Sequence, residues 1–161
     1  MNVFISYTRE KDDTGWVSHF RQNFQRELKF IQPDATVFQD RQGIKVGDDF
    51  LNIIAKELKN SDVLLILFSP AWLKSEWCRK EFDLFFEKEE GDRPGKTPRI
   101  LPLLWVGKWV GMDPGGDHIA QQLARLNYVD WTVLRHRKMS DVSVSKGVAE
   151  LAERAEKLGS E

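Results

Sequence analysis

Short unbroken apolar runs alternate along the chain with stretches in which apolar residues recur every three or four positions, the periodicities of buried strands and amphipathic helices. Val3 to Tyr7 is the first run, and the polar segment Thr8 to Asp13 follows it. With Thr14 as N-cap, Trp16, Phe20, Phe24, Leu28 and Ile31 predict a helix that Pro33 and Asp34 end. Thr36 to Gln39 reads as a second strand, and Asp40 to Asp48 as a loop in which Gly43 and Gly47 permit unusual turns. Asp48 or Asp49 is expected to cap a helix with Phe50, Ile53, Ile54 and Leu58 on one face. Val63 to Phe68, VLLILF, has no alternation, which predicts a central strand covered on both sides. The loop Ser69 to Ser75 leads into a helix capped by Ser75 and ending at Glu89, Glu90 and Gly91, and Gly91 to Pro98 is an exposed loop. A fourth strand over Ile100 to Val106 must accommodate Pro102, which cannot donate to a ladder. Gly111 to Asp117 is turn-rich, Ile119 to Leu126 a short helix, and Tyr128 to Trp131 a short edge strand. Ser143 or Ser145 is expected to cap a last helix, over about 143–159, with Val148, Leu151, Ala152, Ala155 and Leu158 on its apolar side and Gly159 at its close.

The helix after Ser75 holds a position that breaks its own pattern. On a wheel of about 100° per residue, Trp77, Phe85, Cys78, Phe82 and Phe86 form the apolar arc, and Glu81 falls between Trp77 and Phe85. Arg79, Asp83, Glu87, Glu76 and Lys80 gather on the opposite arc. Three and four residues from Glu81 stand Cys78, Leu84, Trp77 and Phe85, so a helix-surface ion pair is not on hand. A carboxylate so placed is either tied to a backbone amide or a distant Arg without further task, or it is functional.

Strand and helix alternate about five times, which predicts an α/β domain with a parallel sheet and helices on both faces. With five strands the doubly wound, flavodoxin-like order is 2-1-3-4-5, three layers deep. Its crevice lies where the first and third strands diverge at their carboxyl ends. Three loops meet there: Ser6 to Asp13, Asp40 to Asp48, and Ser69 to Ser75. The last runs directly into the Glu81 helix, so topology brings Glu81 to the crevice.

Composition narrows the classes without selecting one. The 161 residues suit a single domain, 1–161, and the apolar fraction of 41% with 30% charged residues is that of a soluble globular protein. The 24 basic and 25 acidic residues nearly cancel, so no overall field draws nucleic acid or an anionic membrane. The run Arg135, His136, Arg137, Lys138 reads as a solvated loop rather than a phosphate-binding patch. The single cysteine, Cys78, rules out an internal disulfide. The start MNVFISY has no basic segment followed by a long apolar one, and the longest apolar run falls far below the roughly 20 residues of a bilayer span. A cytoplasmic location is therefore expected. His19, His118 and His136 are scattered without metal-ligand spacing, and no P-loop, dinucleotide fingerprint or nucleophile elbow is present. A phosphoacceptor receiver shares the fold, and Asp12 with Asp13 suggests its acidic pair, yet Ser69 stands where its phosphorylated aspartate closes the third strand.

Three stretches together carry a family likeness: FISYTRE at Phe4 to Glu10, FQDRQGIKVGDDF at Phe38 to Phe50, and SPAWLKSEWCRKEF at Ser69 to Phe82. In this order they resemble the signature regions of a Toll/interleukin-1 receptor (TIR) domain of bacterial style. The WCxxE segment is the most specific of them. The resemblance implies a five-stranded flavodoxin-like fold that in many members cleaves NAD⁺ at its nicotinamide glycosidic bond, with the glutamate matching Glu81 as the catalytic group. Other members are adaptors that only assemble. In the family the loop matching Asp40 to Asp48 is a mobile flap that frames the ligand and contacts a neighbouring subunit. Gly47 and Asp48 match its end, whereas Val46 stands where animal receptor members usually have proline.

The chemistry suits one carboxylate. Nicotinamide leaves a ribosyl carbon as a neutral pyridine and needs no proton donor, so a carboxylate that holds the ribose hydroxyls and stabilises an oxocarbenium-like transition state can replace the usual pair. Burial beside Trp77 and Phe85 is expected to push the Glu81 carboxyl up. Trp77, one turn earlier, is either core or a flat wall for ribose or nicotinamide. Arg9 either faces solvent or grips a pyrophosphate, and Asp40 with Arg41 either pair together or frame the ligand. Cys78, among apolar neighbours, reads as an inert thiol. The expected site is thus Glu81 as catalytic group, with Ser6, Tyr7, Arg9, Asp40, Arg41, Gly47, Asp48, Trp72 and Trp77 around the substrate. NAD⁺ is substrate, and no cofactor or metal is called for. Self-association through Asp40 to Asp48 is expected to organise the crevice, with a sensor domain or partner protein as a further partner, and the resemblance implies a part in bacterial, antiviral defence signalling. The alternative is a non-enzymatic module acting through TIR–TIR assembly.

Overall fold

The computed structural model describes residues 1–8, 15–39, 48–110 and 114–161, apart from the side chains of Asp48 and Phe50. Its strands are β1 (Asn2–Ser6), β2 (Thr36–Gln39), β3 (Val63–Phe68), β4 (Ile100–Leu104) and β5 (Val129–Asp130). They form one parallel sheet in the order β2-β1-β3-β4-β5, the doubly wound arrangement expected from the alternation. Helices α1 (Trp16–Ile31) and α6 (Val142–Gly159) cover one face, and α2 (Asp48–Asn60), α3 (Pro70–Lys74), α4 (Glu76–Asp92) and α5 (His118–Ala124) the other.

The period-two geometry of the strands sorts side chains between the two layers. Val3, Ile5, Val63, Leu65 and Leu67 pack with Phe20, Phe24, Leu28 and Leu151 on the α1/α6 side. Phe4, Leu64, Ile66 and Phe68 pack with Ile54, Leu58, Phe82 and Phe85 on the other. Every residue of β3 is buried, because it pairs with β1 on one edge and β4 on the other. Burying each of its aliphatic side chains contributes about 1.5–3 kcal/mol, at most, against an exposed reference.

Several element ends differ from expectation, each for a local reason. Helix α1 starts after Gly15, whose φ of 71° is the left-handed turn that glycine tolerates; Thr14 lies outside the described residues. The segment Ser69 to Ser75 is not a plain loop but holds α3, with Ser69 Oγ accepting from Trp72 N and Pro70 in the first helical position. On α2, Ile54 and Leu58 are buried but Ile53 is 41% exposed, so the buried face is narrower than the pattern suggests. Strand β4 stops at Leu104: Trp105 N completes the last ladder bond to Phe68 O at 2.8 Å, and Val106 N turns back to the same oxygen at 3.3 Å. Pro102 fits because it registers with Ile66 of β3, while β5 reaches only Leu103 and Leu104. Helix α6 is capped by Asp141, not by Ser143 or Ser145: its Oδ1 accepts from Ser143 N at 2.8 Å, and a carboxylate is favoured at the positive end of a helix. Gly159 remains inside that helix, where a Cβ would lie 2.6 Å from the sulfur of Met1. Among the described residues no helix is long and apolar enough to cross a membrane.

Candidate active site

Glu81 lies on the buried side of α4, 2% exposed, as its place on the helical wheel predicts. Helix α4 starts at Ser75, whose Oγ accepts from Cys78 N at 3.2 Å, and this cap sets the helix so that Glu81 points back toward the carboxyl end of β1. There Ser6 Oγ donates to Glu81 Oε1 at 3.0 Å, and Trp72 Nε1 donates to Ser6 Oγ, also at 3.0 Å. Ser6 and Trp72 have no exposed surface. The Cys78 thiol, 1% exposed, donates to Tyr7 O at 3.5 Å, a second tie between α4 and the end of β1. Its burial fits a packing role rather than a reactive thiol.

Beside Glu81 a cavity of about 180 Å³ opens between α2 and α4. Leu51, Asn52, Ile54 and Ala55 line it from α2, and Trp77, Lys80, Glu81 and Leu84 from α4. Trp77 is half-buried and walls this space. A flat apolar wall, one carboxylate and a lysine suit a ligand with a ring, hydroxyls and a distant negative charge.

The sequence-derived residues therefore separate into groups. Ser6, Trp72, Trp77 and Glu81 come together on the α4 side of the sheet. The Tyr7 side chain points to the opposite face, into the α1/α6 layer, where its hydroxyl accepts from Gln39 Nε2 at 3.1 Å. Arg9, Asp40, Arg41 and Gly47 lie outside the described residues, as does the side chain of Asp48. The α2 wall of the cavity, Leu51, Asn52 and Ala55, escaped sequence reasoning. The only hint was spacing, since Leu51, Ile54, Ala55 and Leu58 recur at three and four positions.

The outer side of α4 is tied to α5. Arg79 Nη1 meets Asp117 Oδ2 at 2.9 Å and also donates to Leu73 O. Slight burial pushes the Asp117 carboxyl up, but the Ala120 and Ile119 amides that it caps and the Arg79 guanidinium together hold it below the usual carboxylate range. His118 Nε2 lies 3.1 Å from Asp83 Oδ1 on the same exposed flank.

A doubly wound sheet with a buried carboxylate, presented from α4 to the end of β1, defines a flavodoxin-like domain with a candidate site at its switch point. The chain belongs to the TIR-domain family, whose model matches residues 3–142. It is similar to a Methanobrevibacter olleyae protein named "Probable 2' cyclic ADP-D-ribose synthase TcpO", with 30% identity over 107 residues. That match covers 64% of this chain and 27% of the relative, so it spans about a quarter of that protein's length. In fold the chain resembles the TIR domains of the activated Roq1 resistosome that directly recognises the pathogen effector XopQ: TM-score 0.51, 19% identity, 99% of this chain and 83% of the other. It also resembles the TIR domain of the Toll-related receptor TRR-2 from Hydra magnipapillata, with TM-score 0.51, 18% identity, 91% of this chain and 96% of the other.

Proposed function

We propose that this chain is an NAD⁺ glycohydrolase of the TIR family, with Glu81 as the catalytic residue. The observation that carries the reading is a single carboxylate held on the buried side of α4 at the switch point and lining an apolar cavity beside Trp77. The TIR family assignment and the relative named as a cyclic ADP-D-ribose synthase support the substrate class.

Trp77 packs against nicotinamide or ribose, and Glu81 binds the ribose hydroxyls and stabilises the positive charge that grows at C1′. The C1′–N bond breaks with both electrons going to the pyridinium nitrogen, which leaves as neutral nicotinamide. Capture of C1′ by water, with loss of one proton, yields ADP-ribose. Capture by a nucleophile of the same molecule yields a cyclic isomer. Arg9, Asp40, Arg41, Gly47 and Asp48 complete the substrate site that the family likeness suggests; Ser6 and Trp72 stand behind Glu81, and the Tyr7 side chain lies on the other face of the sheet. Self-association through Asp40 to Asp48, a sensor partner and a part in bacterial antiviral defence rest on that likeness, and a cytoplasmic location on the single cysteine.

Nicotinamide release by concentrated protein, followed by chromatography, tests the reading and identifies the other product. Glu81→Ala and Glu81→Gln should lower the rate by at least about 100-fold, as for removal of a main electrostatic stabiliser. Equal rates in wild type and variants would sink the catalytic claim. The near-complete burial of Glu81 favours a second reading, in which the carboxylate only ties α4 to β1 in an assembly module. Oligomers that form without turnover and survive Glu81→Ala would support that alternative.

A further inference from the structure

We propose that Ser6 is a positioning residue for Glu81 and that Trp72 acts through Ser6, so that an indole–hydroxyl–carboxylate chain aims the catalytic group. The inference rests on the catalytic reading of Glu81 and extends it to two residues that a ligand does not reach.

The direction of the chain follows from what each group can do. An indole N–H only donates, so at 3.0 Å Ser6 Oγ must be the acceptor. The one proton of the Ser6 hydroxyl is then left for Glu81 Oε1, also at 3.0 Å, which as a carboxylate oxygen only accepts. With Glu81 ionised, no other ordering of the three groups satisfies both contacts. Chains of this kind polarise in one sense, and in a buried setting each member strengthens the next.

The anchor is rigid at its far end. Trp72 is wholly buried, its ring packs against Phe68 at 5.9 Å and Phe82 at 6.3 Å, and its amide is held by Ser69 Oγ. Ser6 is the last residue of β1 and registers with Ile66 of β3, so its Cβ direction is set by the sheet. Glu81 is the mobile member, with three side-chain torsions between the helix and its carboxylate. Fixing one oxygen from two rigid elements converts a flexible side chain into an oriented one, which is what a lone carboxylate facing a developing charge requires. Ser6 and Trp72 expose no surface, so their effect reaches the substrate only through Glu81.

The test measures nicotinamide release over a range of NAD⁺ concentrations for wild type, Glu81→Ala, Ser6→Ala, Trp72→Phe and the Ser6→Ala/Trp72→Phe double variant, with urea unfolding alongside. Ser6→Ala and Trp72→Phe should each lower kcat by about 10- to 100-fold and leave KM within about twofold. The double variant should be no worse than Ser6→Ala, because without the hydroxyl the indole has nothing to act on. Ser6→Thr, which keeps a hydroxyl, should retain more activity than Ser6→Val of nearly the same volume, and this pair cancels any packing defect. Independently of turnover, the ¹⁵N indole resonance of Trp72, assigned by its loss in Trp72→Phe, should move in Ser6→Ala and in Glu81→Gln. Wild-type kcat in both single variants, additive losses that track unfolding, equal Thr and Val activities, or an unmoved indole resonance would overturn the proposal. A wild type that releases no nicotinamide, or a Glu81→Ala variant that matches it, overturns the catalytic reading itself and this inference with it.

Discussion

Helix α4 carries two carboxylates that are each 2% exposed, Glu81 and Glu89. Glu81 accepts from the Ser6 hydroxyl and lines the cavity, and Glu89 is held among cations. Arg99 Nη2 lies 2.7 Å from Glu89 Oε1, Arg93 Nη1 3.0 Å from Oε2, Lys88 Nζ 3.9 Å from Oε1, and Arg99 N donates to Oε2 at 2.9 Å. Burial pushes the Glu89 carboxyl up, but the hydrogen bonds and charge of Arg99, with help from Arg93, outweigh it and hold the group below the usual range. Burial lowers the Lys88 ammonium, which Glu89 only partly offsets. Because the folded state binds the Glu89 proton less readily than the unfolded chain, its stabilisation is complete above the ordinary Glu value of about 4.3 and is lost as pH falls through the lower folded value. Glu89→Gln should therefore cost about 3–5 kcal/mol at pH 7 and should flatten the loss of stability below about pH 4, as urea unfolding at several pH values will read. An equal pH slope in wild type and variant would refute this. The same wheel that singled out Glu81 places Glu89 beside Cys78, Phe82 and Phe85 at spacings of four, three and four. Taking the helix to close at Glu89 to Gly91 concealed that, and Arg99, ten residues on, is a partner that helical spacing does not reveal.

Between elements, close approach rather than propensity decides what a position tolerates. Gly147 stands in the interior of α6, where alanine is ordinarily better by about 1 kcal/mol. A Cβ there would come 2.9 Å from the outer carbon of the Trp131 ring and 3.1 Å from Leu134 Cδ1. Trp131 cannot swing aside, being 1% exposed and packed edge-on against Phe20 at 5.8 Å. Gly147→Ala should thus destabilise by about 1–3 kcal/mol despite its propensity, with a lower thermal midpoint and unchanged helix content by circular dichroism. A raised midpoint would refute the packing argument. The alternation of β1 acts in the same way on the site: adjacent Ser6 and Tyr7 go to opposite faces, one to Glu81 and the other to Gln39. Reading both as neighbours of one ligand treated the end of a strand as though its side chains shared a side.

For the molecule as a whole, the sheet order puts the end of β1 beside the end of β3, and the chain leaving β3 turns through α3 into α4. One crossover therefore delivers both halves of the candidate site, the anchor Trp72 and the carboxylate Glu81. If copies of the chain complete one another's crevices, nicotinamide release per protomer should rise with protein concentration and with crowding agents, then level off. A rate per protomer that stays constant over a hundredfold dilution would remove self-assembly from the proposed activity without touching Glu81.

The apolar periodicities determined the fold from the sequence alone: strand and helix identities are local, and right-handed crossovers leave few ways to order five parallel strands. They also determined that Glu81 enters the core, because a helical wheel needs no tertiary information. The partner at its Oε1 was another matter. Ser6 is 75 residues away, and its contact with Glu81 depends on the register of β1 against β3, on the Ser69 and Ser75 caps that set α3 and α4, and on the indole of Trp72 between them. The caps are local, each three residues long, but the register and the indole contact are distances between elements, set when the faces pack, and only the folded sheet brings Ser6, Trp72 and Glu81 within hydrogen-bonding reach.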